Sequence, residues 1–489
     1  MKKSRLFFRY LCLLVVIFGF YISFMTWRFE SVQLQLPPLA TTEISQAAID
    51  HFAEAIRIKT ISPENPDAFD SLPFVQFNQF LKSTYPLADS LLEKKHINHF
   101  SHLYKWEGTD TRLKPVILMA HLDVVPVSTE DLIDWKYPPF KGSIVNDTLW
   151  GRGTIDNKIG VSGLMEAVDA LLKNDYQPKR TLYLSFGHDE EIGGLKGAKK
   201  IVDYLKKENI VAEFVLDEGG TISQGIIPGI EKNVALIGIA EKGYVSLELS
   251  IKKEGGHSSM PEKETAIDLL AAAIVKIKSN PFPARIADPI EGFIKSLGPE
   301  MGLMNRIIFA NQGIFSSLIT GVYEKTAAGN ALVRTTISPT LFNSGIKDNI
   351  LPQTAKATVN FRILPGESSS SVMERVKHLI DDPRIDIRKG RMQSEPSKVS
   401  STQSSGYKNI HKAIAQSFPE TLVAPYLVVG GTDAKHFESI STDIYRFSPM
   451  VINKGNIKSF HGLNERISIQ DIENGIRFYQ QLIQNSTEN

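Results

Sequence analysis

Three short runs in the first half of the chain are mostly apolar at successive positions: VILMA at 116–120, TLYLSF at 181–186 and EFVLD at 213–217. Runs of this length, apolar at neighbouring rather than alternate residues, predict strands buried on both faces, as in a parallel sheet. Between the first two, residues 157–173 carry Val161, Leu164, Met165, Val168, Leu171 and Leu172 at helical spacing. The unit is therefore strand, helix, strand, and the predicted fold class is α/β with an open, mostly parallel sheet.

At Tyr244 the texture changes. YVSLELSI at 244–251 alternates in period two, as a half-exposed antiparallel strand does, so a second, smaller α+β unit is expected to begin there. A helix at about 263–278, strands at 331–337 and 355–363, a helix near 370–381 and RIDIRKG at 384–390 would complete it, with SSSS at 368–371 as a helix-start signal. The stretch 282–329 is apolar but poorly periodic. It reads first as core, with an apolar groove or a membrane-facing surface as alternatives. SKVSSTQSSGY at 397–407 reads as the linker back, after which LVVGGTD and a final helix rejoin the first sheet. The expected division is 1–44 as an N-terminal segment, 45–243 and 393–489 as two parts of one catalytic domain, and 244–392 as an inserted lid.

From Tyr10 to Trp27 the chain carries no charge, and Lys2, Lys3, Arg5 and Arg9 all precede it. A span of about 18 apolar residues exceeds the core of a signal peptide and approaches the length that crosses a bilayer. No small-residue cleavage site follows closely. An uncleaved signal-anchor is therefore expected, with a cleaved signal as the alternative, and the positive-inside rule places the rest of the chain outside the cytoplasm. Residues 31–44, with Pro37, Pro38, Thr41 and Thr42, read as a stalk.

Composition narrows the function. Lys plus Arg number 55 against 54 for Asp plus Glu, and a net charge of +1 provides no field for polyphosphate, so a nucleic-acid partner is not expected. Hydrophobic residues at 42% and charged residues at 22% describe a folded globular chain. The single cysteine, Cys12, lies in the apolar segment, which excludes an internal disulfide, a thiolate metal site and thiol catalysis in the folded part.

The chemistry lies where the strands end. His121 and Asp123 follow the first run, His188, Asp189, Glu190 and Glu191 the second, and Asp217 and Glu218 the third. Open α/β sheets place ligands at the carboxyl edge of their strands, so these groups are expected to meet in one crevice. Asp156, in GRGTIDNK, precedes the helix of 157–173 and is either a further member or a helix cap. His461 occupies a late glycine-containing loop, FHGLNERI. So many carboxylates and imidazoles at one edge need a cation, and without sulfur the set suits zinc first, then cobalt or manganese, and calcium least.

The strings HLDVVP (121–126), GRGTIDNK (151–158), GHDEEIGG (187–194), DEGG (217–220), GGHSSMP (255–261) and FHGLNERI (460–467) closely resemble those of the dizinc metallopeptidase family of aminoacylase, carboxypeptidase S and succinyl-diaminopimelate desuccinylase. The resemblance spans about 45–485, in order and spacing, and points to the branch of carboxypeptidase S and secreted N-acyl-amino-acid hydrolase/synthases. It implies two zinc ions bridged by Asp156, one also held by His121 and Asp217, the other by Glu191 and His461. It further implies Asp123 as the residue orienting His121, and Glu190 as general base. His257, Asn349 and Arg362 would touch substrate, His257 across the interface of a homodimer formed through the lid, and Gly431 and Thr432 would line the pocket.

These features together lead to a zinc-dependent amidohydrolase acting on N-acyl amino acids with a free carboxylate, the acyl group being fatty in one version and the reaction reversible. Carboxypeptidase or dipeptidase action is the alternative, on short peptides. A catalytically inactive receptor module on the same fold, and an aminopeptidase recognising a free amine, are the readings from other classes.

Overall fold

The computed structural model describes residues 2–37 and 43–488. Of the expected stalk, Pro38, Thr41 and Thr42 lie outside the described residues.

A sheet of ten strands forms the frame. Its middle is parallel: Leu182–Gly187, Val116–His121, Phe214–Asp217 and Ile444–Arg446 lie side by side, with His121 opposite Gly187 and Leu118 opposite Leu216. Toward its edges the sheet turns antiparallel, through Ser101–Trp106 and Glu93–Ile97 on one side and Ile222–Ser223 against Val234–Glu241 on the other. The sheet is therefore mixed, and parallel where the chemistry sits. Helices Gln46–Arg57, Lys158–Lys173 and Ile469–Thr487 cover one face, burying Phe52, Ile56, Leu164, Val168 and Phe478 with Leu118 and Leu184. Ala198–Lys207 covers the other through Ile201 and Leu205 on Ile117 and Val215. Burial on both faces accounts for the unbroken apolar runs.

The period-two segment from Tyr244 belongs to a separate antiparallel sheet of four strands, in the order Thr336–Ser344, Thr354–Ile363, Gly243–Lys252, Asp386–Ser394. Val245, Leu247, Leu249 and Ile251 face inward onto helices Ala266–Ser279 and Ser369–Ile380. Thr265 and Ser368 cap those helices, each in a reciprocal capping box.

Two expectations need correction, and one stretch takes a form that its periodicity left open. The strand at 331–337 begins instead at Thr336, because Thr326 accepts a hydrogen bond from the Gly329 N–H and starts a helix, Ala327–Val333. The stretch 282–329 is helical, as Asp288–Leu297, Leu303–Ala310 and Gln312–Tyr323. Its period is blurred because apolar residues occupy the outward face as well as the inward one. The described part of the stalk is no free tether: Gln33 Nε2 donates to Ser296 O and Val423 O at 3.0 Å each, and its Oε1 accepts the Val423 N–H.

Candidate metal centre

His121 ends its strand at the carboxyl edge of the sheet, fully enclosed, and Asp156 arrives from the turn before Lys158–Lys173. The cap of that helix is Asn157, whose side chain accepts from Gly160 N–H, so Asp156 is free of that duty. Its two oxygens point to different imidazoles: Oδ1 lies 3.1 Å from His121 Nε2 and Oδ2 lies 3.0 Å from His461 Nε2. Glu218 Oε1 completes one group, 3.0 Å from His121 Nε2, and Glu191 Oε2 the other, 3.2 Å from His461 Nε2. Two sets of three candidate ligands thus share Asp156: His121, Asp156 and Glu218, and Asp156, Glu191 and His461.

Asp217, expected beside His121, is in neither set among the described residues. Side chains alternate along a strand, and Asp217 follows Val215 onto the face that carries Ala434 and Phe437. There its Oδ2 accepts the Ala434 N–H at 2.8 Å. Glu218, one residue later, returns to the site. The Asp-Glu pair was legible in the sequence, but deciding between the two members needed the register of the strand.

Asp123, wholly buried, acts at two points. Its carboxylate lies 3.4 Å from His121 Nδ1, and its own carbonyl oxygen is nearer, at 3.0 Å. Its two carboxylate oxygens accept the N–H groups of Glu190 and Glu191 at 3.1 and 3.2 Å, so it sets the loop that carries both glutamates as well as the imidazole. A second clamp was not foreseen, although both its members stand inside the quoted motifs. Arg152 Nη1 meets Glu465 Oε2 at 2.7 Å, both buried, and Glu465 Oε1 accepts the Ile155 N–H at 2.8 Å. Arg152 also donates to Gly462 O at 3.1 Å, tying the loop of Asp156 to the loop of His461.

The electrostatics of the cluster favour a cation. Burial raises the pKa of Glu190 well above the carboxylate range, with Asp433, Glu218 and Glu191 adding to it, and burial raises that of Glu191 as well. Burial pushes Glu218 to about 8. Burial opposes charge on His121, yet Glu218, Asp123 and Asp156 outweigh it and hold the imidazolium well above its ordinary pKa; hydrogen bonds donated by His461 to Asp156 and Glu191 lift its pKa to about 10. Protons are retained wherever these groups face one another. A divalent cation between the same oxygens and nitrogens replaces those protons, and Glu191 Oε1, buried and without a hydrogen-bond partner, is an acceptor still to be satisfied. The residues fit metal.

The expected substrate residues lie in the four-stranded sheet and its arm. His257 and Asn349 come together in a small exposed arm, where strand Gly256–His257 pairs with Ile350–Leu351 and the Ser258 N–H donates to Asn349 O. His257 Nδ1 is 2.7 Å from Ser259 Oγ. Arg362, on Thr354–Ile363, stacks its guanidinium over the Tyr244 ring at 4.8 Å. Lys242, unassigned from sequence, sits at the junction of the two sheets and donates to Ala331 O and Arg334 O at 2.7 and 2.8 Å; burial lowers its pKa to about 7. Thr432 donates to Glu241 Oε1 at 2.6 Å through its hydroxyl, tying the GGTD loop to the same junction.

The profile of Peptidase family M20/M25/M40 matches residues 117–485. The chain belongs to that family. Among curated relatives, the N-fatty-acyl-amino acid synthase/hydrolase PM20D1 of Xenopus tropicalis is 40% identical over 88% of this chain and 84% of that protein. A probable carboxypeptidase S-like 2 from Dictyostelium discoideum is 39% identical over 92% of this chain and 86% of that protein. Among solved structures, the M20 family metallo-carboxypeptidase Sso-CP2 from Sulfolobus solfataricus superposes with a TM-score of 0.65 at 18% identity, over 91% of this chain and all of that one, a likeness of fold. Membership makes this M20 chain an enzyme, a metallopeptidase or amidohydrolase.

Proposed function

We propose that this M20 enzyme is a zinc-dependent amidohydrolase that cleaves the amide bond of N-acyl amino acids bearing a free carboxylate, the acyl group being fatty, and that it also runs the reaction in reverse. The observation that carries the reading is the pair of ligand sets sharing Asp156, with Glu190 beside them on a loop held by Asp123. His121, Asp156 and Glu218 would hold one ion, and Asp156, Glu191 and His461 the other, with cobalt or manganese as substitutes. Bound there, two such ions polarise a carbonyl oxygen and acidify water. Glu190, whose pKa burial raises, is matched to taking a proton from the attacking water and giving it to the leaving amine. Arg362 would grip the substrate carboxylate as a planar fork, aided by His257 and Asn349 when the segment 244–392 closes as a lid. A homodimer through that lid belongs to the same reading.

The fatty acyl preference rests on the relatives named as N-fatty-acyl-amino acid synthase/hydrolases, at 34–40% identity. Carboxypeptidase action on short peptides is the second reading, favoured by the carboxypeptidase S-like relatives. The helix Lys2–Trp27 would anchor the chain, leaving the enzyme on the extracytoplasmic side; its segment Arg5–Trp27 is long and apolar enough to cross a membrane. The test crosses a series of acyl groups with a series of amino acids, alongside dipeptides, on zinc-loaded full-length protein. Turnover of N-acyl amino acids well above that of dipeptides is expected, and the reverse ranking establishes the carboxypeptidase. Metal binding without turnover of any of them refutes both substrate readings.

A further inference from the structure

The helices Leu303–Ala310 and Gln312–Tyr323 belong to no part of the chemistry described above, and their outward face is unusual. Over residues 303–323 the only charged side chain is Arg306. Leu303 and Met304 are each 71% exposed, and Ile314, Leu318 and Val322, spaced by four, form an exposed stripe on the second helix. The inward face is occupied separately, by Ile319 with Phe309 and Phe315 packed on Ile290, Ile294 and Leu427.

The N-terminal helix fixes where this face lies. Asn311, between the two helices, has its Nδ2 3.4 Å from Ile22 O and 3.3 Å from Thr26 Oγ1, and Arg306 turns inward to donate to Phe29 O at 2.8 Å. The Phe29 ring lies against Gly298, close enough that a Cβ there would meet it at 2.4 Å. The pair of helices therefore sits at the level of Ile22 to Phe29. At 1.5 Å per residue, Ile22 is about 7 to 8 Å along the helix before Trp27. Trp27 is exposed at the end of the apolar span, the position at which tryptophan marks the edge of a bilayer. Helices lying in a membrane interface bury their apolar face by about 5–10 Å, the same depth.

The geometry points to the exposed face of 303–323 docking into the outer leaflet of the membrane that the N-terminal helix crosses. This rests on the reading of Lys2–Trp27 as an anchor. The occupant is the acyl region of lipid, because the face continues an uncovered apolar helix and offers lipid headgroups no charge of its own. Docked in this way, the enzyme has two attachments, and its body is held at a fixed attitude to the bilayer instead of swinging on a tether.

Nitroxide labels on full-length protein in phosphatidylcholine liposomes separate the two statements. The wild-type chain has one cysteine, Cys12, on the N-terminal helix, which reports the anchor directly. In a Cys12→Ser background, Met304→Cys and Leu318→Cys report the docking face and Val211→Cys the exposed surface of the catalytic unit. Oxygen, which concentrates in lipid, should relax the labels at 12, 304 and 318 more than a water-soluble nickel chelate does, and the order should reverse at 211. If 304 and 318 behave as 211 does while 12 reports lipid, the docking face is refuted and the anchor stands. If 304 and 318 are reached by neither reagent, protein covers them, and the proposal is again overturned. If 12 itself reports water, the anchor reading fails and docking fails with it.

Discussion

Asp217 and Glu218 are neighbours of like charge, and replacing them one at a time distinguishes the strand's two faces. Glu218→Gln keeps the side chain's length and removes an anionic oxygen 3.0 Å from His121 Nε2. Groups that merely orient a ligand change metal affinity by about 10- to 100-fold, so losing an anionic ligand itself should weaken one of the two ions by more than about 100-fold. Asp217→Asn should leave both ions in place, since that carboxylate is turned to Ala434 N–H at 2.8 Å. Its effect on stability is a balance of opposed terms. Burial raises the pKa of Asp217, so its ionised form is a cost that asparagine removes, while the hydrogen bond falls from the charged range of about 1.5–3 kcal/mol to the neutral range of about 0.5–1.5 kcal/mol. The net change should lie within about 1 kcal/mol, or a few degrees in Tm. Asp217→Ala leaves the Ala434 N–H without an acceptor and should cost about 1–3 kcal/mol. Zinc per chain after dialysis against a weak chelator, read beside thermal melts, gives both numbers. Loss of an ion in Asp217→Asn, with full zinc in Glu218→Gln, would falsify the assignment from strand register.

Glu190→Gln should retain zinc while the rate falls by about 10²- to 10⁴-fold, and Glu191→Gln should lower zinc occupancy; the opposite pattern of metal content means that the two roles are exchanged. Arg362→Ala should lower kcat/KM for an N-acyl amino acid by about 10- to 150-fold, with little further loss on the matching amide, which lacks the carboxylate; equal losses on both rule out carboxylate recognition by this residue. Arg152→Met strands the buried Glu465 and should destabilise by about 3–5 kcal/mol, whereas Arg152→Met with Glu465→Leu should recover part of that; a double variant no better than the sum of the singles shows that the two side chains act independently. Asp471, near the start of the last helix, has its pKa raised by burial to about 6, so the stability it contributes is present below about pH 4 and lost as pH rises through 6. Asp471→Asn should therefore gain on wild type across that window, by roughly 1–3 kcal/mol, and parallel pH profiles for the two proteins count against the buried-carboxyl account.

Three strands of the parallel middle were legible because they are apolar at most successive positions, and the residues following them were legible because the sheet geometry puts strand ends to use; the fourth, Ile444–Arg446, is too short and ends in a charge. The antiparallel edge was not legible: EKKHI is polar and held mainly by pairing, and SHLYKW, although buried on both faces, interrupts its apolar residues with Ser101, His102 and Lys105. The helices of 282–329 escaped a periodicity argument because Leu303, Met304 and Leu318 are apolar on the side away from the core. Within the site, residue types and spacing point to a cation at the strand ends, and the family resemblance points to His121, Asp156, Glu191 and His461, which the structure brings together. Neither is enough to tell which oxygen of which neighbour reaches them. That depends on the last residue of a strand, and a shift by one turns a carboxylate to the opposite face.

What holds two loops and three strand ends in register is a second tier of buried polar contacts. Arg152 and Glu465 join the loop of Asp156 to that of His461, and Asp123 joins the end of the first strand to the loop after the second. Lys158, fully buried with its pKa lowered by burial to about 7, donates to Ala55 O at 3.0 Å and so fixes the helix after Asp156 to the first helix of the catalytic unit. At the junction of the sheets Arg446 Nε lies 3.1 Å from Glu241 Oε1, the same oxygen that holds Thr432. Such pairs add little net stability relative to apolar side chains of the same shape, but they admit few alternative arrangements, because a misplaced partner leaves a charge buried without compensation. An aspartate whose two oxygens must serve two histidines from different ends of the chain requires that kind of constraint.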